Sequence, residues 1–241
     1  SNRGPEAAPL HLLPTLWFRN TWSWGRTGEN YPPRGEIALD GNARLRASHA
    51  TLGSFTLVGD VDGEFGVPIP LFTENETNFE RVFGVPNVHP YVKDAFHEYV
   101  VHGRRDRVNP ANAGSKAALY YHAVIPANGS LTLRLRLAAT DEMPVEPFDP
   151  AFDDTIALRK AEADLFYDAQ IGPDATPAER AVARQAYAGL LWSKQFYHYV
   201  VRDWLDGDPA QPPPPPERLT GRNADWRHVH ARDVLSVPDK W

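Results

Sequence analysis

"TPAERAVARQAYAGLLWSKQFYHYVVRDWLDGDP", residues 176–209, is the stretch on which the fold reading turns. Thr176 and Glu179 stand at capping-box spacing, and Pro177 takes the first helical position. Val182, Ala186, Leu190, Phe196, Tyr197, Val200 and Trp204 supply apolar positions for one stripe. Gly207 and Pro209 would stop the helix. The pattern predicts one helix over 176–206, about 45 Å long at 1.5 Å per residue. Such a helix needs other helices to bury its stripe, so it predicts the opening of an α-helical domain.

Working back from it, "DDTIALRKAEADLFYDAQIG" (153–172) predicts a second helix, with Asp153 as N-cap and Gly172 past its end. The first 140 or so residues read as strands. "LHLLPTLWFRNTWSW" (10–24) is apolar and aromatic, while "ARLRAS" (43–48) and "SFTLVGDVDG" (54–63) alternate up to Asp/Gly turns. In "SLTLRLRL" (130–137), Leu131, Leu133, Leu135 and Leu137 share one face, opposite Thr132, Arg134 and Arg136. "ALYYHAVI" (118–125) precedes it across the turn "PANG", which predicts an antiparallel hairpin. "YVKDAFHEYVVHG" (91–103) has helical spacing, closed by Gly103. The expected fold is β plus α: an antiparallel β-sandwich, then linker helices, then the first long helix of a helical domain. Its predicted parts are a tag or disordered lead (1–9), a β-sandwich (10–148), a helical linker (149–175) and the start of the helical domain (176–241).

Composition narrows the function. A net charge of −6 argues against a nucleic-acid partner. The absence of cysteine excludes disulfides, thiolate nucleophiles and sulfur-ligated metals. No apolar run approaches the roughly 18 residues of a membrane span, so no membrane partner is expected. The five prolines of 212–216 predict a stiff, extended connector. Asn223 onward shows no obvious strand or helix. Asn75-Glu-Thr and Asn128-Gly-Ser match the glycosylation sequon, a match common by chance.

The chemistry-bearing motifs are few. His228 and His230 have an H-x-H spacing, but a metal site needs a third ligand. The acidic pairs Asp60/Asp62, Asp153/Asp154 and Asp206/Asp208 sit at turns or helix ends, where Asp caps backbone donors. No catalytic set, cofactor or metal is predicted. Aromatic rings mixed with hydrogen-bonding side chains do stand out, in "LWFRNTWSWG" (16–25), around Trp192 and around Trp226. Rings and a few placed polar groups suit a sugar, which has apolar C–H faces rimmed by hydroxyls. The competing explanation is that the rings fill a core.

Several blocks together carry a family resemblance: "LPTLWFRNTWSWG", "LFTENETNFERVFG", "YVKDAFHEYVVHG", "RVNPANAGSKAALYYH", "LLWSKQFYHYVVRDWLDGDP" and "NADWRHVHARDVLSVPDKW". Over residues 10–241 the chain resembles bacterial glycoside hydrolase family 63, the mannosyl-oligosaccharide glucosidase-like proteins. The resemblance implies part of a β-supersandwich, linker helices and the first helix of an (α/α)6 barrel. It implies inverting cleavage of α-glucosidic bonds, with a glucose-containing oligosaccharide as partner of the intact protein. In that family the counterpart of "SVPDKW" is followed by an aromatic run ending in Trp-Asp, the Asp being the general acid. That residue would fall beyond Trp241, and the base further still, so no catalytic residue is carried over. Val237 stands where the family pattern has Met. The resemblance implies that Asp239, Lys240 and Trp241, and less directly Trp226 and Trp192, line the sugar cleft. The chain is thus expected to be an inactive N-terminal portion, able to form a homodimer through an exposed 176–206 helix. The alternative is a stand-alone carbohydrate-binding β-sandwich.

Overall fold

A computed structural model describes residues 1–29 and 31–236. The chain divides into two compact units, Ser1–Asp149 and Pro150–Trp241. The fold is mixed α and β: antiparallel sheets with five α-helices among the described residues.

The first unit holds two antiparallel sheets. In one, β8 (Lys116–Ile125) is central. Strands β1 (Ala8–Leu12) and β2 (Thr15–Trp17) run along one edge of it in a single unbroken register. Pro14 lies between them; it has no N–H to give, but its carbonyl accepts from Leu119 at 3.0 Å and carries the ladder through. The other edge of β8 pairs with β6 (Ile69–Thr73). The second sheet has the order β7 (Ala113–Gly114), β3 (Glu36–Leu39), β4 (Arg44–His49), β5 (Gly53–Gly59), β9 (Leu135–Ala139). Alternation decides which faces are buried: on β4, Leu45 and Ala47 are buried while Arg46 is exposed. One core joins the two sheets, with Ile37, Leu45 and Leu57 from the second and Phe72, Leu119 and Tyr121 from the first. Each such side chain contributes about 1.5–3 kcal/mol by leaving water. Residues 1–9, read as a tag or disordered lead, include the start of β1. Within them the Asn2 amide donates to the carbonyls of Glu6, Ile125 and Pro126.

Two short helices flank this unit. Helix α1 (Phe79–Phe83) is capped by the Asn78 side chain, which accepts from Arg81 N. Helix α2 (Ala95–His102) ends on Gly103 at φ 67°, the left-handed cap that its glycine predicts.

The hairpin predicted from 118–125 and 130–137 does not form. β9 begins only at Leu135 and pairs with β5, so β8 and β9 belong to different sheets. Leu137, on the leucine face of that stretch, is 53% exposed. The crossing is held by a second residue of the same stretch: Arg134 reaches Asp60 at 2.7 Å. An edge strand beside β5 leaves only one side of its ladder paired, and alternation alone cannot name the neighbour.

In the second unit, α3 (Pro150–Gln170) starts on Pro150, three residues ahead of the predicted cap Asp153. Helix α4 (Pro177–Trp192) has the predicted capping box, with the Glu179 carboxylate accepting from Thr176 N and Oγ1, both at 2.8 Å. Arg180 pairs with Asp168 at 3.0 Å, Arg184 pairs with Asp164, and the Tyr167 and Tyr187 rings meet at 6.0 Å, so α3 and α4 lie side by side.

The single helix over 176–206 is overturned. α4 stops at Trp192 with Ser193 as its C-cap. Residues Gln195–Val200 instead form β10, antiparallel to β11 (His230–Ser236), in a stretch that was expected to lack a strand. The run "QFYHYV" is aromatic and β-branched, and a short apolar run fits a strand as well as a helix. Its partner lies about thirty to forty residues downstream, which local periodicity does not register. Between the strands, α5 (Val201–Asp206) buries Val201 and Leu205. The proline run closes on this helix: Arg218 donates to the Trp204 carbonyl at 2.8 Å and lies 4.6 Å over its ring. Gly207 (φ 81°) makes room for it, since a Cβ there would sit 2.7 Å from Pro214 Cδ. No helix among the described residues is long and apolar enough to cross a membrane.

Candidate functional site

Of the five cleft residues implied by the resemblance, Asp239, Lys240 and Trp241 lie outside the described residues. Trp226 sits in the loop before β11, 56% exposed, its ring stacked on His228 at 5.7 Å. Turn hydrogen bonds from Trp226 N to Asn223 O and from Val229 N to Trp226 O shape that loop. Asn223 adopts φ 72°, tolerated by its short polar side chain, and donates to the Tyr199 hydroxyl at 2.9 Å. Arg227 forks onto Asp206 at 2.8 and 3.2 Å, and those hydrogen bonds raise its pKa further. The result is an anchored loop that presents one indole face. Trp192 is the last residue of α4 and 88% exposed; it stands on a different element, and the ring partner of Trp226 is His228. His228 is thus used in stacking, and no group of three metal-ligating side chains occurs among the described residues.

The aromatic stretch 16–25 finds its partners in the run Glu74–Asn78, just past the buried end of β6. Trp22 Nε1 donates to Glu76 Oε1 at 3.0 Å. The Asn20 amide donates to Asn75 O at 2.7 Å, and Asn75 Nδ2 returns a bond to Phe18 O at 2.8 Å. The sequon asparagine Asn75 therefore has its amide nitrogen engaged. Glu74 accepts from Ser115 Oγ at 2.6 Å and pairs with Arg34 at 3.2 Å. Glu76 also faces His89 Nε2 at 3.7 Å. Both carboxylates are mostly buried; Glu74 has donors on both oxygens and Glu76 has two facing Oε1, contacts that pin the loops together. On the same side, Lys116 donates to Lys93 O at 2.9 Å and lies 4.9 Å over the Phe96 ring. Burial first, then the charge of Lys93, lowers the Lys116 pKa.

Next to this network is an open cavity of about 280 Å³. Asn78, Asn87 and Asp94 form its fixed wall: Asn78 Nδ2 donates to Asp94 Oδ2 at 3.1 Å, Asn87 Nδ2 to Asn78 Oδ1 at 3.1 Å, and Asn87 Oδ1 accepts from Phe79 N at 2.6 Å. Sequence reasoning did not single out these residues. The available signal was the density of acids and amides in "TENETN" directly after an apolar strand.

Comparison with curated proteins adds one relative. The uncharacterized protein YMR196W of Saccharomyces cerevisiae is 35% identical over 269 residues, covering 98% of this chain and 24% of its own length. The chain is a homologue of this yeast protein. It spans about a quarter of that relative's length. No family model matches the chain, and no solved structure matches it.

Proposed function

We propose that this chain is the non-catalytic N-terminal portion of a longer, inverting α-glucosidase-like hydrolase of glycoside hydrolase family 63. The observation that carries the reading is the helix pair α3–α4. Neither helix buries a single residue, and Leu158, Leu165, Val182, Leu190 and Trp192 are all more than half exposed. Apolar helical faces of that extent call for further protein to cover them. A homologue in which this chain accounts for only 24% of the length favours a longer protein over a stand-alone carbohydrate-binding module.

On this reading the first unit corresponds to part of a β-supersandwich, and α3–α4 lead into an (α/α)6 barrel. The anchored loop of Trp226 contributes one wall of the sugar cleft, together with Trp192, Asp239, Lys240 and Trp241. The two carboxyl groups that inversion requires, about 6.5–9.5 Å apart, come from the barrel. The test compares this chain with the longer natural protein on α-glucosides, following the first-formed anomer by NMR. The longer protein is expected to release the β-anomer, and this chain to release nothing. Turnover by this chain, or release of the α-anomer, would refute the reading.

A further inference from the structure

Two cavities in the first unit carry several charged groups, and they differ in one respect. The smaller, about 260 Å³, holds Arg34 and Glu74, which satisfy each other at 3.2 Å, and the exposed Glu36 carboxylate, so it has no cation to spare. In the larger, two ion pairs are also internal, Arg81 with Asp94 at 3.3 Å and Arg104 with Glu98 at 3.8 Å. Two further charged groups are left over. Among the described residues, no hydrogen bond or ion pair uses the half-buried Arg107 guanidinium or the Glu80 carboxylate.

We propose that this cavity binds a single neutral sugar ring. Three features select that class. The lining charges cancel, Arg81, Arg104 and Arg107 against Glu80, Asp94 and Glu98, so the field favours no net anion or cation. The free groups comprise a planar fork of donors on Arg107 and a carboxylate acceptor on Glu80, which together match the donor and acceptor capacity of adjacent hydroxyls. Pro90 and the buried Val92 and Ala95 add an apolar patch on which the C–H face of a ring can rest. The volume, about 280 Å³, lies just below the roughly 300–1,000 Å³ of drug-sized ligand sites, room for about one ring. The wall is preorganised, because the Asn78–Asn87–Asp94 bonds exist before any ligand arrives.

The site stands in the β unit and requires no catalysis, so it holds or fails independently of the hydrolase reading. The test is calorimetric titration of the 241-residue chain with D-glucose, with inorganic phosphate and glycine as charged and zwitterionic comparators. Glucose is expected to saturate in the millimolar range and the other two not to bind. Arg107→Ala should weaken glucose at least tenfold, and Arg107→Lys, which keeps the charge but loses the fork, by several-fold. In isotope-labelled protein, glucose should shift the side-chain amide signals of Asn78 and Asn87, which reports the site without any variant. Absence of saturation, saturation by phosphate or glycine instead, or glucose binding that leaves those amides unmoved would each overturn the proposal.

Discussion

The tightest contact in the core yields a quantitative test. Gly59 lies on β5, facing Tyr121 of β8 across the two sheets. A Cβ at position 59 would stand 2.2 Å from the Tyr121 hydroxyl oxygen and 2.9 Å from Leu119 Cδ1. Tyr121 is 1% exposed and Leu119 0%, so neither can swing into solvent. Overpacking costs about 1–3 kcal/mol, and a contact this far inside van der Waals distance puts Gly59→Ala near the top, about 3 kcal/mol. Tyr121→Phe removes the atom at 2.2 Å and leaves a ring carbon at 3.5 Å, an ordinary contact, while the overlap with Leu119 at 2.9 Å persists and still costs about 1 kcal/mol. That hydroxyl has no protein partner among the described residues, and burial, helped by Asp60, pushes the phenol up to about 12. Deleting it removes a desolvated group and should stabilise by about 1 kcal/mol. The double variant should therefore fall close to the parent, with a coupling of about 2 kcal/mol. Urea unfolding with linear extrapolation reads these differences, and each 1 kcal/mol moves Tm by about 2–4 °C in a chain of this size. Additivity within about 0.5 kcal/mol, or a Tyr121→Phe variant less stable than the parent by more than 1 kcal/mol, would refute the reasoning. There is also a pH signature. The folded phenol titrates above its unfolded value, so this contribution is complete below about 10 and is lost as pH climbs toward 12. Tyr121→Phe should abolish that part of the alkaline loss.

Three further outcomes are expected. Thr176→Ala removes the N-cap of α4 and should cost the helical unit about 1 kcal/mol, read by circular dichroism during unfolding. The bonds from Thr176 hold the Glu179 carboxyl below its ordinary value of 4.5, so the advantage of Glu179 over Glu179→Gln is present above that value and lost as pH falls through the lower folded one; equal unfolding midpoints at pH 7 would contradict it. Leu205→Ala empties a site 2% exposed and should destabilise the second unit by about 2–4 kcal/mol, seen as faster proteolysis between β10 and β11; unchanged cleavage would contradict the packing of α5. The exposed end of α4 should make the chain self-associate in sedimentation, and Leu191→Lys with Trp192→Ser, at positions 61% and 88% exposed, should abolish that while changing stability by under about 0.5 kcal/mol; a monomeric parent chain or an undiminished dimer of the variant would contradict it.

Part of the candidate site was legible in residues alone. The three tryptophans of 16–25 beside Asn20 suggested either a polar-aromatic surface or core filling, and Trp226 and Trp192, at 56% and 88% exposed, do not fill a core among the described residues. What no local pattern disclosed was the pairing of Trp22 with Glu76 and Asn20 with Asn75, or the wall built from Asn78, Asn87 and Asp94. Those contacts join residues up to 55 positions apart, and an acid or an amide has the same local signature whether it caps a turn or faces a ligand.

Residues acting on their near neighbours determined the Thr176–Glu179 capping box, the left-handed stop at Gly103, and the buried alternation of β4. Each depends on interactions within a few positions, where side-chain chemistry and backbone geometry leave one good solution. Only the tertiary structure decided that Leu135–Ala139 pairs with β5 and that Gln195–Val200 leaves the helix to pair with His230–Ser236. A short apolar run satisfies helix and strand alike; a ladder of hydrogen bonds to a distant segment breaks the tie, and that partner exists only once the chain has folded back on itself.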